Sequence, residues 1–451
     1  METQLARLEY FIRELMSSYN IPSITIGIYK DGRTIYSKAF GFKDLENLIE
    51  ANIETVYGIG SVTKTFTALS IMLLQEEGKL SIEDYVDKYV DLRIKPYGER
   101  IKIWHLLSHT SGIPALGYAE AYIDYHLLGK GKYFPISKDE DVLDFINESE
   151  NYALYKPGEK FLYLNEGYVV LGMIIEKVSG LKYEEFVRKR IFENVGMPKT
   201  YVDREVLKEN NLAVPYYIEG RKIKRGKLPL GIKADGGIYS NIPDLLKYAK
   251  SLMNREIASS RTMEEMERVR VENPFSYTGL PGEGYGLGLE IIPNFFGRRL
   301  IHHGGNVLVY TAFMGYIPEE KMAITVLSNT SSFPLSVIAT YALALMLGKD
   351  PEKELPYLRS LNLLSKLEGR YIGLKGTIEV KVKRIGGAIM LKSVEEISIA
   401  TYEKTEVYED REVHIFNIES LGKKLPIYFI ERKKDHELLL QYERYLLKKV
   451  A

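Results

Sequence analysis

The chain has 451 residues, no cysteine, and 61 basic against 61 acidic side chains. That length implies two or three domains. The balanced charge argues against nucleic acid or an anionic membrane as the main partner, and the missing cysteine excludes disulfides and thiolate metal sites.

Charged residues make up 27% of the chain, and Gln occurs only at Gln4, Gln75 and Gln441. Abundant Lys and Glu with few thermolabile side chains is the composition expected of a hyperthermophile protein. The first residues read as a charged amphipathic helix without a signal-peptide pattern. The longest apolar stretch elsewhere, Val337 to Leu347, is too short to span a bilayer. The expectation is a cytoplasmic protein with no membrane partner.

In chain order, residues 23–42 read as a hairpin, with Ile24, Ile26 and Ile28 alternating, an Asp31-Gly32 turn and a return through Thr34-Ile35-Tyr36. A helix opening at Ser61 ends near Gly78. A helical turn at Trp104 to Leu107 leads into the polar breaker Ser108-His109-Thr110-Ser111-Gly112. Residues 117–137, rich in Tyr, Gly and Lys, read as a long loop or lid. Val169 to Val178 and Asp244 to Met253 are further helices. From Tyr285 to Val326 the pattern is β-rich. Strands at both ends with helices between predict an antiparallel sheet covered by helices. After Gly348 a charged, Pro-punctuated stretch reads as a linker with a short helix at Tyr357 to Lys366. Beyond Gly369 apolar and polar residues alternate in short runs, as in Ile378, Val380 and Val382, which predicts a small all-β barrel. His414 and His436 stand singly there and read as structural.

The candidate chemistry begins at Ser61-Val62-Thr63-Lys64. Positions i and i+3 of a helix share a face, and the positive end of the helix dipole favours an alkoxide over an ammonium. A serine needs a neighbouring base to become a nucleophile. A second Ser-x-x-Lys at Ser179 and Lys182 lies in a turn and lacks this setting. Lys156-Pro157-Gly158 leads to Tyr163 and Asn165, a tyrosine that can serve as base if nearby cations lower its pKa and an amide that can orient Lys64. His302-His303-Gly304-Gly305-Asn306 enters an apolar strand. Its glycines allow close backbone approach. Neighbouring strand side chains point to opposite faces, so His302 and His303 are not expected to share a metal.

The ordered set Ser61-x-x-Lys64, Tyr163-x-Asn165 and His303-Gly304-Gly305 resembles the serine β-lactamase/penicillin-binding-protein superfamily. It is most similar to the CubicO branch of class C β-lactamases, D-stereospecific peptidases and esterases. Leu106 to Gly112, Gly236-Gly237-Ile238-Tyr239-Ser240 and Tyr285-Gly286-Leu287-Gly288 support the likeness, which covers about residues 10–345. The tail from Leu367 is similar to the lipocalin-like barrel fused behind some of these hydrolases, as in archaeal CubicO-type serine proteases.

The resemblance implies an α+β domain over 1–348, a linker over 349–366 and a lipocalin-like barrel over 367–451. It implies Ser61 as nucleophile, Lys64 and Tyr163 as shared base, and Asn165, His303, Gly304, Gly305 and Asn306 around substrate and oxyanion. No cofactor and no metal are implied. β-Lactamases of the superfamily carry Lys where His303 stands, which argues against β-lactam turnover as the main activity. The expected function is hydrolysis of small peptides through a Ser61 acyl-enzyme, with selectivity for D-residues left open. The alternatives are an ester hydrolase at the same site and a non-catalytic peptide or β-lactam binder. Homo-oligomerisation through the barrel is the expected partnership.

Overall fold

The computed structural model describes residues 2–122, 125, 129, 138–220, 222–275, 280–393 and 396–450. Most of the expected lid, 117–137, therefore lies outside the described residues. The chain divides into two compact units, Met1–Gly348 and Lys349–Ala451.

The first unit is built on one antiparallel sheet. Its main strands are β1 (Ser23–Lys30), β2 (Arg33–Asp44), β3 (Gly284–Tyr285), β4 (Glu290–Phe295), β5 (Arg298–Asn306), β6 (Thr311–Ile317) and β7 (Met322–Ser328). The order across the sheet is Ile49–Glu50, β2, β1, β7, β6, β5, β4, β3, Val271–Glu272. The two ends of the unit therefore meet where β1 pairs with β7, Ile26 opposite Val326. The hairpin between β1 and β2 turns through Asp31 and Gly32, both at positive φ, as a type I′ turn requires.

Every residue of β6 and β7 is buried, so helices cover both faces. On one side lie α1 (Glu2–Tyr19) and, late in the chain, the apolar helix Leu335–Met346; Phe11 and Tyr341 stack at 3.9 Å between them. On the other lies Ile242–Met253, started by Asn241, whose side chain accepts the Asp244 N–H. That capping bond gives Asn241 a structural role, although Tyr239-Ser240-Asn241 has the same Tyr-x-Asn spacing as Tyr163 to Asn165. A Cβ on Gly27 would stand 2.4 Å from Ile242 Cγ2, so this helix sits almost on the backbone of β1.

The site is carried by two further helices, α2 (Thr63–Glu76) and α3 (Asn165–Ser179). Residues Thr63 through Leu74 of α2 are all buried, and each large apolar side chain there contributes roughly 1.5–3 kcal/mol. Helix α3 ends at Gly180 in the left-handed conformation.

In the second unit, Pro351–Glu354 and Pro356–Leu367 are helical where a linker with one short helix was expected. Proline at the first helical position has no N–H to leave unpaired, which starts both. Eight strands from Gly369 to Val450 then close into an antiparallel barrel. Val380, Val382, Ile389, Leu391, Phe416 and Phe429 fill it.

Candidate functional site

Ser61 does not open the α-helix as expected. It sits in a 3-10 turn, Gly60–Val62, and the α-helix begins two residues later at Thr63. Gly60 takes φ +50°, and a Cβ there would lie 2.7 Å from the Asn306 nitrogen. Gly305 is held as tightly from the other side, since its Cβ would stand 1.9 Å from the Ile59 carbonyl oxygen and 3.1 Å from the Ser61 nitrogen. These two glycines let the nucleophile turn pack directly on the end of β5.

That packing brings two backbone N–H groups together. Val307 N–H bonds to the Tyr310 carbonyl at 3.0 Å. Antiparallel pairs alternate between bonded and non-bonded types, so the next pair, Asn306 with Thr311, leaves the Asn306 N–H pointing away from β6, towards the Ser61 turn. The N–H groups of Ser61 and Asn306 are thus the candidate oxyanion donors. Gly304 is different: a Cβ there would meet nothing within 4 Å. It borders open space, where an extended substrate can lie.

Lys64 is fully buried. Its Nζ donates to Ser61 Oγ at 3.1 Å, to Asn165 Oδ1 at 2.8 Å and to the Asp235 carbonyl at 2.6 Å. Burial pushes its pKa down to about 8, against the opposing fields of Asp235, Glu166 and Glu120. An amine with that pKa is a base near neutrality.

Tyr163 lies half-buried beside Ser61, and Lys64 Nζ lies 5.1 Å from its ring centre. Sequence reasoning had nearby cations lowering its pKa. The structure goes the other way: burial pushes the phenol well above its ordinary range, and the nearby Ser61 hydroxyl only partly offsets this. Tyr163 is therefore a proton donor in the resting site.

His303 is buried and locked. Its Nδ1–H donates to the Gly304 carbonyl at 2.6 Å, which leaves Nε2 to accept the Tyr285 hydroxyl at 2.9 Å. Burial lowers its pKa despite the field of Glu290, so the ring is neutral. His302 points elsewhere: its Nε2 faces Glu283 at 3.5 Å and its Nδ1 faces Glu290 at 3.2 Å. Burial disfavours its charge, but the two glutamates outweigh that and raise its pKa. Carboxylates on opposite nitrogens suit an imidazolium. Ser179 bonds the backbone N–H of Leu181 in the turn after α3.

Ser61, Lys64, Tyr163, Asn165, Gly305 and Asn306 thus gather around the Ser61 turn, while His303 contacts Tyr285 and the Gly304 carbonyl. Sequence reasoning missed the Asp235 carbonyl, which lies just before the Gly236-Gly237 segment, and the Tyr285 hydroxyl, inside a segment given no task. A backbone carbonyl leaves no side-chain signal.

A helix-start serine beside a buried lysine, under an antiparallel sheet with helices on both faces, is the fold of the β-lactamase/penicillin-binding-protein superfamily of serine hydrolases. The chain belongs to the Beta-lactamase family, whose model matches residues 8–347. The Pab87 octamerisation domain model matches residues 351–448. The structure is similar to that of an octameric penicillin-binding protein homologue from Pyrococcus abyssi, at 44% identity over 99% of this chain and 100% of that one, with a TM-score of 0.91. Penicillin-binding protein 4* of Bacillus subtilis is 30% identical over 320 residues, 66% of each protein, so the chain spans just under two thirds of that relative. The D-amino acid amidase of Ochrobactrum anthropi shares the fold at 20% identity, over 74% of this chain and 96% of that one, with a TM-score of 0.62. Among the described residues, no helix is long and apolar enough to cross a membrane.

Proposed function

We propose that this chain is a serine peptidase that hydrolyses small peptides through a Ser61 acyl-enzyme, with D-residues among its substrates. The observation that carries the reading is Lys64 Nζ at 3.1 Å from Ser61 Oγ, buried and with its pKa lowered to about 8. The neutral amine takes the Ser61 proton as Oγ attacks the carbonyl carbon. Backbone N–H groups of Ser61 and Asn306 hold the resulting oxyanion. Tyr163 O–H protonates the departing amine, and the Lys64 ammonium re-protonates Tyr163. A water then attacks the ester along the reverse path. Asn165 keeps Lys64 aimed, and Gly304 leaves room for the substrate backbone.

A free-amine D-residue fits the name of the Ochrobactrum amidase, a protein of the same fold. Residues 1–348 would form the catalytic unit. Residues 351–448, which match an octamerisation domain, would assemble copies of the chain. The test is a panel of D- and L-aminoacyl anilides and p-nitrophenyl esters, with Ser61→Ala as control. Anilide cleavage supports the peptidase. Cleavage of esters alone would make the protein an ester hydrolase, and no turnover at all would make it a binder.

A further inference from the structure

The segment Ser108-His109-Thr110-Ser111-Gly112 has no part in the chemistry above, yet it braces the strand of chain that carries Tyr163. The Gly158 N–H bonds to the Thr110 carbonyl at 2.7 Å, the Leu154 N–H to the Gly112 carbonyl at 2.9 Å, and the Leu162 N–H to the His109 carbonyl at 2.7 Å. The next alternate N–H, that of Leu164, bonds to the His109 side chain, reaching Nδ1 at 3.0 Å. His109 therefore grips the residues on both sides of Tyr163 with two acceptors. Its ring also lies against the Tyr163 ring, with centroids 4.1 Å apart and planes 29° from parallel.

Other features set this histidine apart from ordinary core filling. It is 1% exposed. It holds φ +56°, a left-handed conformation unusual for a non-glycine residue. Since Nδ1 accepts, the proton of the neutral ring is on Nε2, which is buried with no hydrogen-bond partner. Burial, then the fields of Lys64 and His303, push the imidazole well below its ordinary pKa. A neutral ring suits stacking on Tyr163 beside Lys64, where a second cation would be repelled. A buried N–H without an acceptor costs about 1–3 kcal/mol, and such a cost persists where the geometry serves something else.

We infer that His109 is a positioning residue: its Nδ1 and ring face hold the Tyr163 hydroxyl against Ser61. It touches neither substrate nor the reacting atoms and acts through Tyr163. The inference rests on the acylation role given to Tyr163 above, and Tyr163→Phe alone tests that role separately.

The experiment is a double-mutant cycle read by kcat/KM for an aminoacyl anilide, whose departing amine needs the Tyr163 proton. His109→Phe keeps a ring and loses the acceptor; His109→Asn keeps an acceptor near the Nδ1 position and loses the ring. Each should lower kcat/KM about 10- to 100-fold, the scale of a misplaced catalytic group, with the thermal midpoint still above the assay temperature. In a Tyr163→Phe background the same substitutions should cost less than about threefold, because partners in one unit are non-additive. Equal losses in both backgrounds, or no loss in either, would overturn the inference. If Tyr163→Phe itself changed nothing, the role of Tyr163 would fail instead. Should the variants not fold, a neutron structure of the wild-type enzyme decides. Deuterium on His109 Nε2 and none on Nδ1 is expected; deuterium on Nδ1 would remove the Leu164 bond and the inference with it.

Discussion

Lys64 Nζ reaches Ser61 Oγ at 3.1 Å although the α-helix that carries Lys64 begins only at Thr63. The 3-10 turn under Ser61 winds more tightly than an α-helix, and it keeps the two side chains on one face while the serine stands free of the helix proper. Replacing Ser61 by Ala should remove turnover by several orders of magnitude and leave the thermal midpoint little changed. A fluorophosphonate followed by peptide mapping should mark Ser61. A label on Ser179, another Ser-x-x-Lys serine, would reassign the nucleophile.

The lowered pKa of Lys64 sets the pH dependence. The working form is the neutral amine, so kcat/KM should rise about tenfold per pH unit below the inflection and level off above it. The inflection should fall near 8. The same shift bears on stability. Between about 8 and the ordinary value of 10.5 the unfolded chain binds more protons at this site than the folded one, so this group's contribution makes stability rise with pH across that window. Denaturant unfolding at both ends of the window should show the rise in the wild type and a smaller one in Lys64→Met. A flat rate profile through pH 8 would mean that the base is another group.

Much of this site was legible in the sequence, for stated reasons. Ser61 and Lys64 are fixed by a local spacing, and Tyr163-x-Asn165 by a turn that feeds α3. The hairpin of β1 and β2 was legible from Asp31-Gly32. The pairing of β1 with β7, nearly three hundred residues apart in the chain, was open only as a general expectation, because register between distant strands has no local signal. The direction of the Tyr163 shift was misread since it depends on how deeply the phenol is buried. Pro351 and Pro356 looked like breakers and turned out to be helix starters, which composition alone does not separate. The role of Tyr285 was out of reach because its hydroxyl meets His303 across an intervening strand.

Gly305 offers a sharp steric test. A methyl group there would fall 1.9 Å from the Ile59 carbonyl oxygen, a distance that only backbone movement relieves. Gly305→Ala should destabilise the fold by about 1–3 kcal/mol. By shifting the Asn306 N–H it should also lower the acylation rate by more than about a hundredfold. Gly304→Ala meets open space, so its stability should stay within about 0.5 kcal/mol while KM for peptides rises. Equal effects at both positions would separate the glycines from the oxyanion site.

His303 stays neutral while Tyr285 and Gly304 hold it, so it offers no cation to a substrate carboxylate. Benzylpenicillin should therefore acylate Ser61 slowly. His303→Lys should speed that acylation by at least about tenfold, since a charge-assisted hydrogen bond outweighs a neutral one. It should leave the rate with a small neutral ester within about threefold, because the ester has no carboxylate to be recognised. An unchanged penicillin rate would place the carboxylate site elsewhere.

The barrel separates assembly from catalysis. Its interior is filled by apolar side chains, while Ile397, Ile399, Val407, Leu421 and Leu425 stand largely exposed on its strands and turns. Closure of the eight strands removes free edges, so self-association has to use side-chain faces instead of strand addition. Exposed isoleucines on one strand at alternating positions point the same way, and apolar patches of that kind mark contact surfaces. A chain ending at Gly348, where the first compact unit stops, should keep Ser61 reactive towards a small ester and lose mass by light scattering. Ile397→Lys with Ile399→Lys in the full chain should dissociate it in the same way and leave the ester rate unchanged. If the truncated chain kept its assembled mass, the first unit would hold the copies together. If the full-length double variant kept it, the interface would lie on another face of the barrel. Should either change also admit longer peptides, the assembly would be controlling access to Ser61 as well as holding subunits together.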